Sequence, residues 1–203
     1  MPVRTRRRAN GLTILLSRDP RVRALRGAGH VAEIHGHKVW DSSFLVMQHL
    51  KRHPLPKRTR VLEIGCGWGL LGLFCAHRFG NRVHGIDADS NVLPYLQLHA
   101  EVNGVRMTAE RRAFEQLTTA FLADFDVILG ADVCFWDDMA RQLYNLIRRA
   151  RRAGVARVII ADPGRPPFDA LAERCAARLE RVQRVEMTLA RPVRARGDLL
   201  IVG

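Results

Sequence analysis

The sequence predicts an α/β fold in which a seven-stranded, mostly parallel sheet carries helices on both faces and ends in an antiparallel hairpin. Three observations support this prediction. Predicted strands and helices alternate along the 203 residues without repeats or low-complexity linkers. A glycine-rich turn joins a buried strand to a helix, and an acid ends the strand that follows. The last two strands are joined by a short arginine-rich link without a helix, so they should pair antiparallel.

Apolar patterning and turn residues place the individual elements. The strands are predicted at 60–64, 82–87, 105–110, 125–131, 155–161, 182–189 and 196–202. The helices are predicted at 42–52, 69–79, 89–102, 136–152 and 166–180. Because strand–helix–strand order gives parallel strands with right-handed crossovers, a ligand crevice is expected at the carboxyl ends of the strands.

The excess of positive charge lies at the N-terminus. Residues 1–58 hold thirteen Lys or Arg against three acids, whereas residues 59–203 hold twenty against seventeen. Three interpretations stay open: a solvated surface that reflects genome composition, an arm that attracts an acidic protein surface or a nucleic acid backbone, and an organellar transit peptide. Serine is scarce in the first eighteen residues, so a bacterial cytoplasmic protein is predicted ahead of one in the mitochondrial matrix.

The segment HGHKVWDSSF precedes the helix predicted at 42–52. Asp41 or Ser42 is expected to cap this helix, and Trp40 is interpreted either as a core aromatic or as part of a site. His35 and His37 lack an evident third metal ligand in the sequence. We interpret both as ordinary histidines.

The segment Val61–Asp87, VLEIGCGWGLLGLFCAHRFGNRVHGID, carries the most functional information. Gly65, Gly67 and Gly69 follow a strand typical of a sheet covered on both faces, and they allow a ligand close to bare main chain. The helix that follows turns its free N–H groups and positive dipole end toward that ligand. Asp87 ends the next strand, where a carboxylate can accept both hydroxyls of a ribose. This arrangement indicates a nucleotide pocket, although glycines placed for packing alone are the alternative.

The glycine spacing discriminates between cofactors. A nicotinamide or flavin site is expected to read GxGxxG, but the sixth position counted from Gly65 is Leu70. With Glu63 two residues ahead, the sequence reads ExGxGxG instead. The spacing therefore disfavours a dinucleotide.

Two later strands end in acids. FDVILGADVCFWDDM places Asp132 at the end of an apolar strand, and an unpaired buried carboxylate is costly, so a site role is favoured over helix capping. VIIADPGRPPF ends its strand with Asp162. Turn chemistry explains the prolines and glycine that follow, but it leaves Arg165 unexplained.

Composition agrees with one compact enzyme domain, since 47% of the residues are hydrophobic and no run approaches the ~18 apolar residues that cross a membrane. The four cysteines form no CxxC pair and lie in apolar segments. We predict reduced core thiols, no metal site and no membrane partner.

The motifs VWDSS, VLEIGCGWG, GADV followed by an aromatic residue, and DPGR together resemble the family 16 seven-strand methyltransferases, whose sheet is Rossmann-like and which include many protein-lysine methyltransferases. The resemblance covers residues 35–168, and the DPGR loop is most similar to the branch that modifies the electron-transfer flavoprotein β subunit. It implies S-adenosylmethionine (SAM) as cofactor. Asp132 then matches the acid of the family's DxxY motif, in which Phe135 stands in place of the tyrosine.

This resemblance assigns residues to the site. The residues predicted to bind the cofactor are Trp40, Glu63, Gly65, Gly67, Gly69, Asp87, Ala88, Phe114 and Ala131. Asp132 and Phe135 are the predicted catalytic residues: the carboxylate pairs with an incoming lysine ammonium, and Phe135, with Trp136, packs the aliphatic stem and offers a cation–π face. Residues 1–41 are predicted to be a basic extension packed on the cofactor side, and residues 42–203 the methyltransferase domain.

We therefore predict SAM-dependent methylation of a nitrogen in a protein substrate with an acidic surface, most simply a lysine side chain. The first alternative is an RNA or DNA methyltransferase that uses the basic segment for phosphate contacts, with strongly salt-dependent binding. The second is a SAM-binding protein without catalysis. Because no NPPY-like tetrad occurs, methylation of adenine or of a glutamine amide is not expected.

Overall fold

The computed structural model describes residues 4–36 and 38–203. Its strands are β1 (Arg6–Ala9), β2 (Leu12–Leu15), β3 (Arg60–Ile64), β4 (Arg82–Asp87), β5 (Thr108–Arg111), β6 (Val127–Ala131), β7 (Arg157–Asp162), β8 (Val182–Leu189) and β9 (Ala195–Val202). Its α-helices are α1 (Pro20–Gly27), α2 (Ser42–Arg52), α3 (Leu70–Phe79), α4 (Leu93–Asn103), α5 (Thr119–Leu122), α6 (Asp137–Arg152) and α7 (Pro166–Arg178).

The main sheet has seven strands in the order β5-β4-β3-β6-β7-β9-β8. Neighbouring strands from β5 to β7 are parallel, whereas β9 pairs antiparallel with both β7 and β8. The sheet order changes direction at β3, which lies between β4 and β6. This confirms the predicted α/β architecture and its terminal hairpin, and it opens a crevice beyond the carboxyl ends of β3, β4 and β6.

Several predicted element starts are corrected for local reasons. β7 begins at Arg157 rather than 155, because Val155 donates its N–H to Ala150 at the end of α6. β5 begins at Thr108 rather than 105, because left-handed Gly104 ends α4 and Val105 donates its N–H to Ala100. β6 begins at Val127 rather than 125, because the N–H of Phe125 closes a turn on Leu122. The helix predicted from 89 opens as a 3₁₀ turn, Ser90–Val92, before α4.

The N-terminal extension contains structure that the pattern did not predict. β1 and β2 form a hairpin around Asn10 and Gly11, which both adopt positive φ (52° and 85°), as a two-residue hairpin turn requires. The hairpin docks on α4, where Leu15 donates its N–H to the Nε2 atom of buried His99 at 3.1 Å. Residues 34–36 and 38–40 line the cavity at the carboxyl ends of the sheet. The division of the chain at residue 41 stays a prediction.

The apolar core lies on both faces of the sheet. One layer is centred on α2 and α3, with Phe44 and Phe74 buried in it, and the other on α6 and α7, with Phe168 buried. All four cysteines are buried and free, and burial raises the pKa of each thiol, so they are neutral core side chains. Among the described residues no helix has the length and apolar character needed to span a membrane.

Candidate active site

A cavity of about 390 Å³ lies at the carboxyl ends of β3, β4 and β6, the place that the parallel topology predicts. Its volume is within the usual range of small-molecule sites. Ten of the eleven predicted site residues line it: Trp40, Glu63, Gly65, Gly67, Asp87, Ala88, Phe114, Ala131, Asp132 and Phe135. Gly69 is not among its lining residues.

The three glycines of the turn, Gly65, Gly67 and Gly69, have different structural roles. All three adopt positive φ, which favours glycine. A Cβ at Gly65 would lie 2.5 Å from Val133, and one at Gly69 would lie 2.5 Å from Leu96, so both positions also need glycine for packing. A Cβ at Gly67 would meet nothing within 4 Å. Gly67 is therefore the turn residue that opens to the cavity, while Gly69 caps α3.

The carboxylate of Asp87 holds this turn by accepting a hydrogen bond from its backbone. One carboxylate oxygen accepts the N–H of Gly67 at 2.9 Å, and the other accepts the N–H of Asp89 at 3.0 Å. Burial raises the pKa of Asp87, and these backbone hydrogen bonds oppose the rise. Each oxygen keeps lone pairs that can accept a hydroxyl.

Glu63 lies on the cavity floor behind the turn. Its Oε2 atom accepts the N–H of Gly72 at 3.0 Å. A Cβ on Gly72 would approach that oxygen to 2.5 Å, so only glycine leaves room for the side chain. Burial raises the pKa of Glu63 to about 8, which makes it a neutral acid over most of the physiological range.

Asp132 belongs to a charged network that joins two strand ends. Its Oδ1 atom accepts a hydrogen bond from Nη2 of Arg165 at 2.8 Å, and Nη1 of the same arginine donates to Asp162 at 2.7 Å. Both carboxylates are almost fully buried. Burial lowers the pKa of Arg165, but the Asp162 and Asp132 carboxylates raise it overall, so the guanidinium stays charged. Arg165, which turn chemistry did not account for, thus bridges β6 and β7.

The same carboxylate also caps a helix, but not the one considered from the sequence. Oδ2 of Asp132 accepts the N–H of Ser42 at 3.2 Å, at the first turn of α2. The expected cap from Asp41 or Ser42 is wrong, because Asp41 makes no side-chain hydrogen bond to this turn. Instead Asp41 faces Arg7 at 3.7 Å. A contact across 90 residues supplies the cap that the local sequence was expected to provide.

An aromatic cluster lies beside this network. Phe135 stacks on the imidazole of His35 with ring centroids 4.0 Å apart, and Trp40 meets Phe135 edge-on at 5.5 Å. The guanidinium of Arg165 lies 4.2 Å from the Phe135 ring centre. Trp136 is 53% exposed and packs 5.3 Å from His35, at the mouth of the cavity. We call His35, Trp40, Phe135 and Trp136 the aromatic cluster below.

Several lining residues were not predicted. Ser43 comes from α2, and Asp138, Met139 and Gln142 come from the first two turns of α6. Since α6 begins five residues after Asp132, a helix continuing from a site strand could have signalled them. His35, interpreted as an ordinary histidine, also lines the cavity. His37 lies outside the described residues, and the described residues contain no cluster of His, Cys, Asp and Glu that could hold a metal.

Comparison with known proteins identifies the fold that carries this cavity. The model of a methyltransferase domain family matches residues 61–154, from β3 through α6. A methyltransferase from Pyrococcus furiosus shares the fold with a TM-score of 0.63 at 16% identity, covering 92% of this chain and 97% of that one. The chain has the class I methyltransferase fold.

Two further proteins are similar to this chain in fold or over part of its sequence. A tRNA (uracil-54, C5)-methyltransferase from Pyrococcus abyssi, solved with S-adenosyl-L-homocysteine, has a TM-score of 0.54 at 16% identity and covers 78% of this chain and 37% of that one. A ubiquinone biosynthesis O-methyltransferase from Cereibacter sphaeroides is 41% identical over 81 residues, which are 39% of this chain and 32% of the relative. The chain thus spans about a third of that curated relative. Together with the family model, these findings support a class I methyltransferase with SAM as its cofactor.

Proposed function

We propose that the protein is a SAM-dependent methyltransferase that modifies an amino nitrogen of a protein substrate, with a lysine side chain as the acceptor. The observation that carries the proposal is one cavity with two ends. The glycine turn and Asp87 form one end, and the aromatic cluster with Asp132 forms the other. A nucleoside at the first end would leave the second for the acceptor.

The first end suits the adenosine part of the cofactor. The exposed main chain at Gly67 and the N-terminus of α3 favour a ligand close to the backbone, and the Asp87 carboxylate can accept ribose hydroxyls. Ala88, Phe114 and Ala131 line the cavity with small or apolar surface. When bound, SAM supplies a sulfonium-activated methyl group that bonds to the acceptor atom, while the sulfur keeps the electrons of the broken carbon–sulfur bond.

The second end suits a cationic chain with an apolar stem. Two carboxylates, Asp132 and Asp162, face one guanidinium, Arg165, so the fully ionised network carries one net negative charge. The rings of Phe135 and Trp136 offer apolar surface and cation–π faces beside it. Because Asp132 is already paired, its role in this proposal is to hold the charge and shape of the acceptor end through Arg165. Asp132 does not bind the ammonium directly in this proposal, because Arg165 and Ser42 donate to its two oxygens.

We assign the basic extension to substrate encounter. Arg18, Arg23 and Arg26 line a shallow concavity with Thr5 and Ser17, and within the described part of the chain none of the three has an ion-pair partner. Unpaired guanidinium groups attract acidic surfaces and speed association. A protein substrate with acidic residues next to the modified lysine is the partner we propose.

A second candidate is methylation of a hydroxyl on a small molecule. The curated relatives that match the chain are named as ubiquinone biosynthesis O-methyltransferases, one of them 34% identical over 103 residues in Hahella chejuensis. The half-buried aromatic cluster would also pack against an aromatic acceptor. Methylation of nucleic acid, through the same arginines, is the third possibility that the test separates.

The test is transfer of labelled methyl from SAM into a cell lysate that is then divided by protease, nuclease and organic extraction. The proposal expects label that protease releases and that nuclease and extraction leave in place, recovered as methyl-lysine after acid hydrolysis. Label in the organic extract would establish the small-molecule candidate instead. Label removed by nuclease would establish the nucleic acid one, and absence of label in every fraction would overturn methyl transfer.

A further inference from the structure

His35 is the one imidazole among the described residues that line the cavity, and its place is well defined by contacts. Its ring stacks on Phe135 with an interplanar angle of 21°. Trp40 donates its indole N–H to the backbone oxygen of His35 at 2.7 Å, which fixes the main chain at this point. The ring is half-buried, so one side faces the cavity and the other faces its aromatic neighbours.

The two ring nitrogens of His35 make no hydrogen bond within the described part of the chain. By contrast, His99 uses both nitrogens, toward Tyr95 and Leu15, and His84 uses both, toward Thr108 and Glu110. A half-buried imidazole with free nitrogens can accept a proton from a bound group.

The carboxylates of the cavity are less suited to that task. One oxygen of Asp132 accepts a hydrogen bond from Arg165, and the other accepts the N–H of Ser42. The two oxygens of Asp87 accept the N–H groups of Gly67 and Asp89, and Glu63 is buried with a raised pKa. Asp138 is exposed and pairs with Arg141 at 3.0 Å. Glu115 also lines the cavity, but it is exposed and belongs to the segment beside Phe114, outside the aromatic cluster.

We propose that His35 is the base that removes the acceptor's proton, an inference that rests on the proposed function. An ammonium acceptor arrives protonated, because a model lysine has a pKa near ~10.4. Its N–H bond breaks, the proton moves to a ring nitrogen of neutral His35, and the electron pair stays on the acceptor nitrogen as the nucleophile. After transfer His35 releases the proton to water at the open mouth beside Trp136.

The surrounding charges shape this proton transfer. Arg165 lies over Phe135, and Lys38 lies 4.3 Å from the ring centre of Trp40, so both cations contact the same aromatic cluster as His35. Asp132 faces the same cluster and offsets part of that charge through Arg165. The stack on Phe135 holds the ring plane while its protonation changes.

The experiment compares His35→Gln and His35→Phe with wild type and with His53→Gln, a control at the exposed end of α2. Single-turnover transfer into the protein fraction should fall roughly 10²-fold or more in both His35 variants, the usual contribution of a general base. The acidic limb of the rate profile should disappear with the imidazole. Added free imidazole should restore part of the rate in His35→Gln. S-adenosylhomocysteine should bind all four proteins within about twofold.

A second readout is independent of turnover. Imidazole resonances of the wild-type protein with S-adenosylhomocysteine are followed by NMR during addition of n-butylamine, with His35 assigned by its loss in His35→Gln. The inference expects the His35 signals to move and those of His53 to stay.

The outcomes distinguish the role of His35 as a base from the proposed methyl transfer itself. If wild type transfers methyl and His35→Gln matches it in rate and pH profile, the base assignment alone is overturned. Immobile His35 signals at saturating n-butylamine would also overturn it. If wild type transfers no methyl to any fraction, the proposed function falls and the base assignment falls with it.

Discussion

At the scale of single residues, four acids at or next to the carboxyl ends of parallel strands have four different environments. Glu63 is buried and neutral over most of the physiological range, Asp87 holds a backbone turn, and Asp132 and Asp162 share one guanidinium. Their positions at the strand ends were predictable from the apolar runs before them. Their partners were not, because Ser42 and Arg165 reach Asp132 across 90 and 33 residues.

The Asp132–Arg165 pair gives a residue-scale prediction. Asp132→Asn and Arg165→Gln should each lower the free energy of unfolding by about 1–3 kcal/mol, because each leaves a largely buried partner with one hydrogen bond fewer. The double variant should cost about 0.5–3 kcal/mol less than the sum, since both changes remove the same contact. Turnover should fall by roughly 10² in each, because the acceptor end loses its shape, while cofactor affinity stays close to wild type.

Thermal and denaturant unfolding beside single-turnover kinetics measures this coupling. The exposed pair Arg196–Glu186, 2.9 Å apart, is the control, and Glu186→Gln should change stability by less than about 0.5 kcal/mol. Strictly additive losses would show that the bridge does not hold Asp132. A fully active Asp132→Asn protein would end any catalytic or positioning role for this carboxylate.

At the scale of elements, the main sheet was predictable because its strands are short apolar runs between turn residues. β4 and β8 have the predicted bounds, Arg82–Asp87 and Val182–Leu189. The β1–β2 hairpin was missed because β1, RRRA, has almost no apolar pattern, although Asn10–Gly11 is a strong hairpin signal. Eight-residue α1 is rich in arginine and has a single buried side chain, Val22, so its periodicity is weak.

The extension gives an element-scale prediction. Deleting the extension would remove the buried side chains of Leu12, Leu15 and Val22 and expose Trp68 and Tyr95, which share a buried cluster with Leu15 and Val22. The test therefore neutralises charge and leaves the packing of the extension intact. Neutralising Arg18, Arg23 and Arg26 together to Gln should raise the substrate KM by roughly three- to tenfold at low salt and flatten its salt dependence. The difference should shrink above 0.1 M salt, where charges act over about 10 Å.

The matched control neutralises three exposed arginines outside the extension, Arg106, Arg152 and Arg178. It removes the same net charge and should leave KM nearly unchanged, and both triple variants should bind SAM as wild type does. Equal KM values for the two variants would assign the arginine excess to composition, with no part in substrate encounter.

At the scale of the whole molecule, the chain combines a basic N-terminal part with a nearly neutral sheet domain whose cavity is rimmed by carboxylates. The topology that places these acids at one edge follows from strand–helix alternation alone. The spacing of Glu63, Gly65 and Gly67 disfavours a dinucleotide, and the resemblance of the motifs to a methyltransferase family implies SAM. The acceptor does not follow from sequence in the same way, since it depends on how the aromatic cluster and the Arg165 network assemble from three separate segments.

The central claim is that this cavity binds SAM with Asp87 as a principal contact. Calorimetric titration of S-adenosylhomocysteine into wild type, Asp87→Ala and Asp126→Asn tests it most directly. Asp126 is a matched control, because it pairs with Arg60 at the opposite end of β6. We expect one site in each protein, affinity weaker by about 1–3 kcal/mol in Asp87→Ala alone, and no competition from NAD. Unchanged affinity in Asp87→Ala, or displacement by NAD, would show that the cavity is not a SAM site held by Asp87.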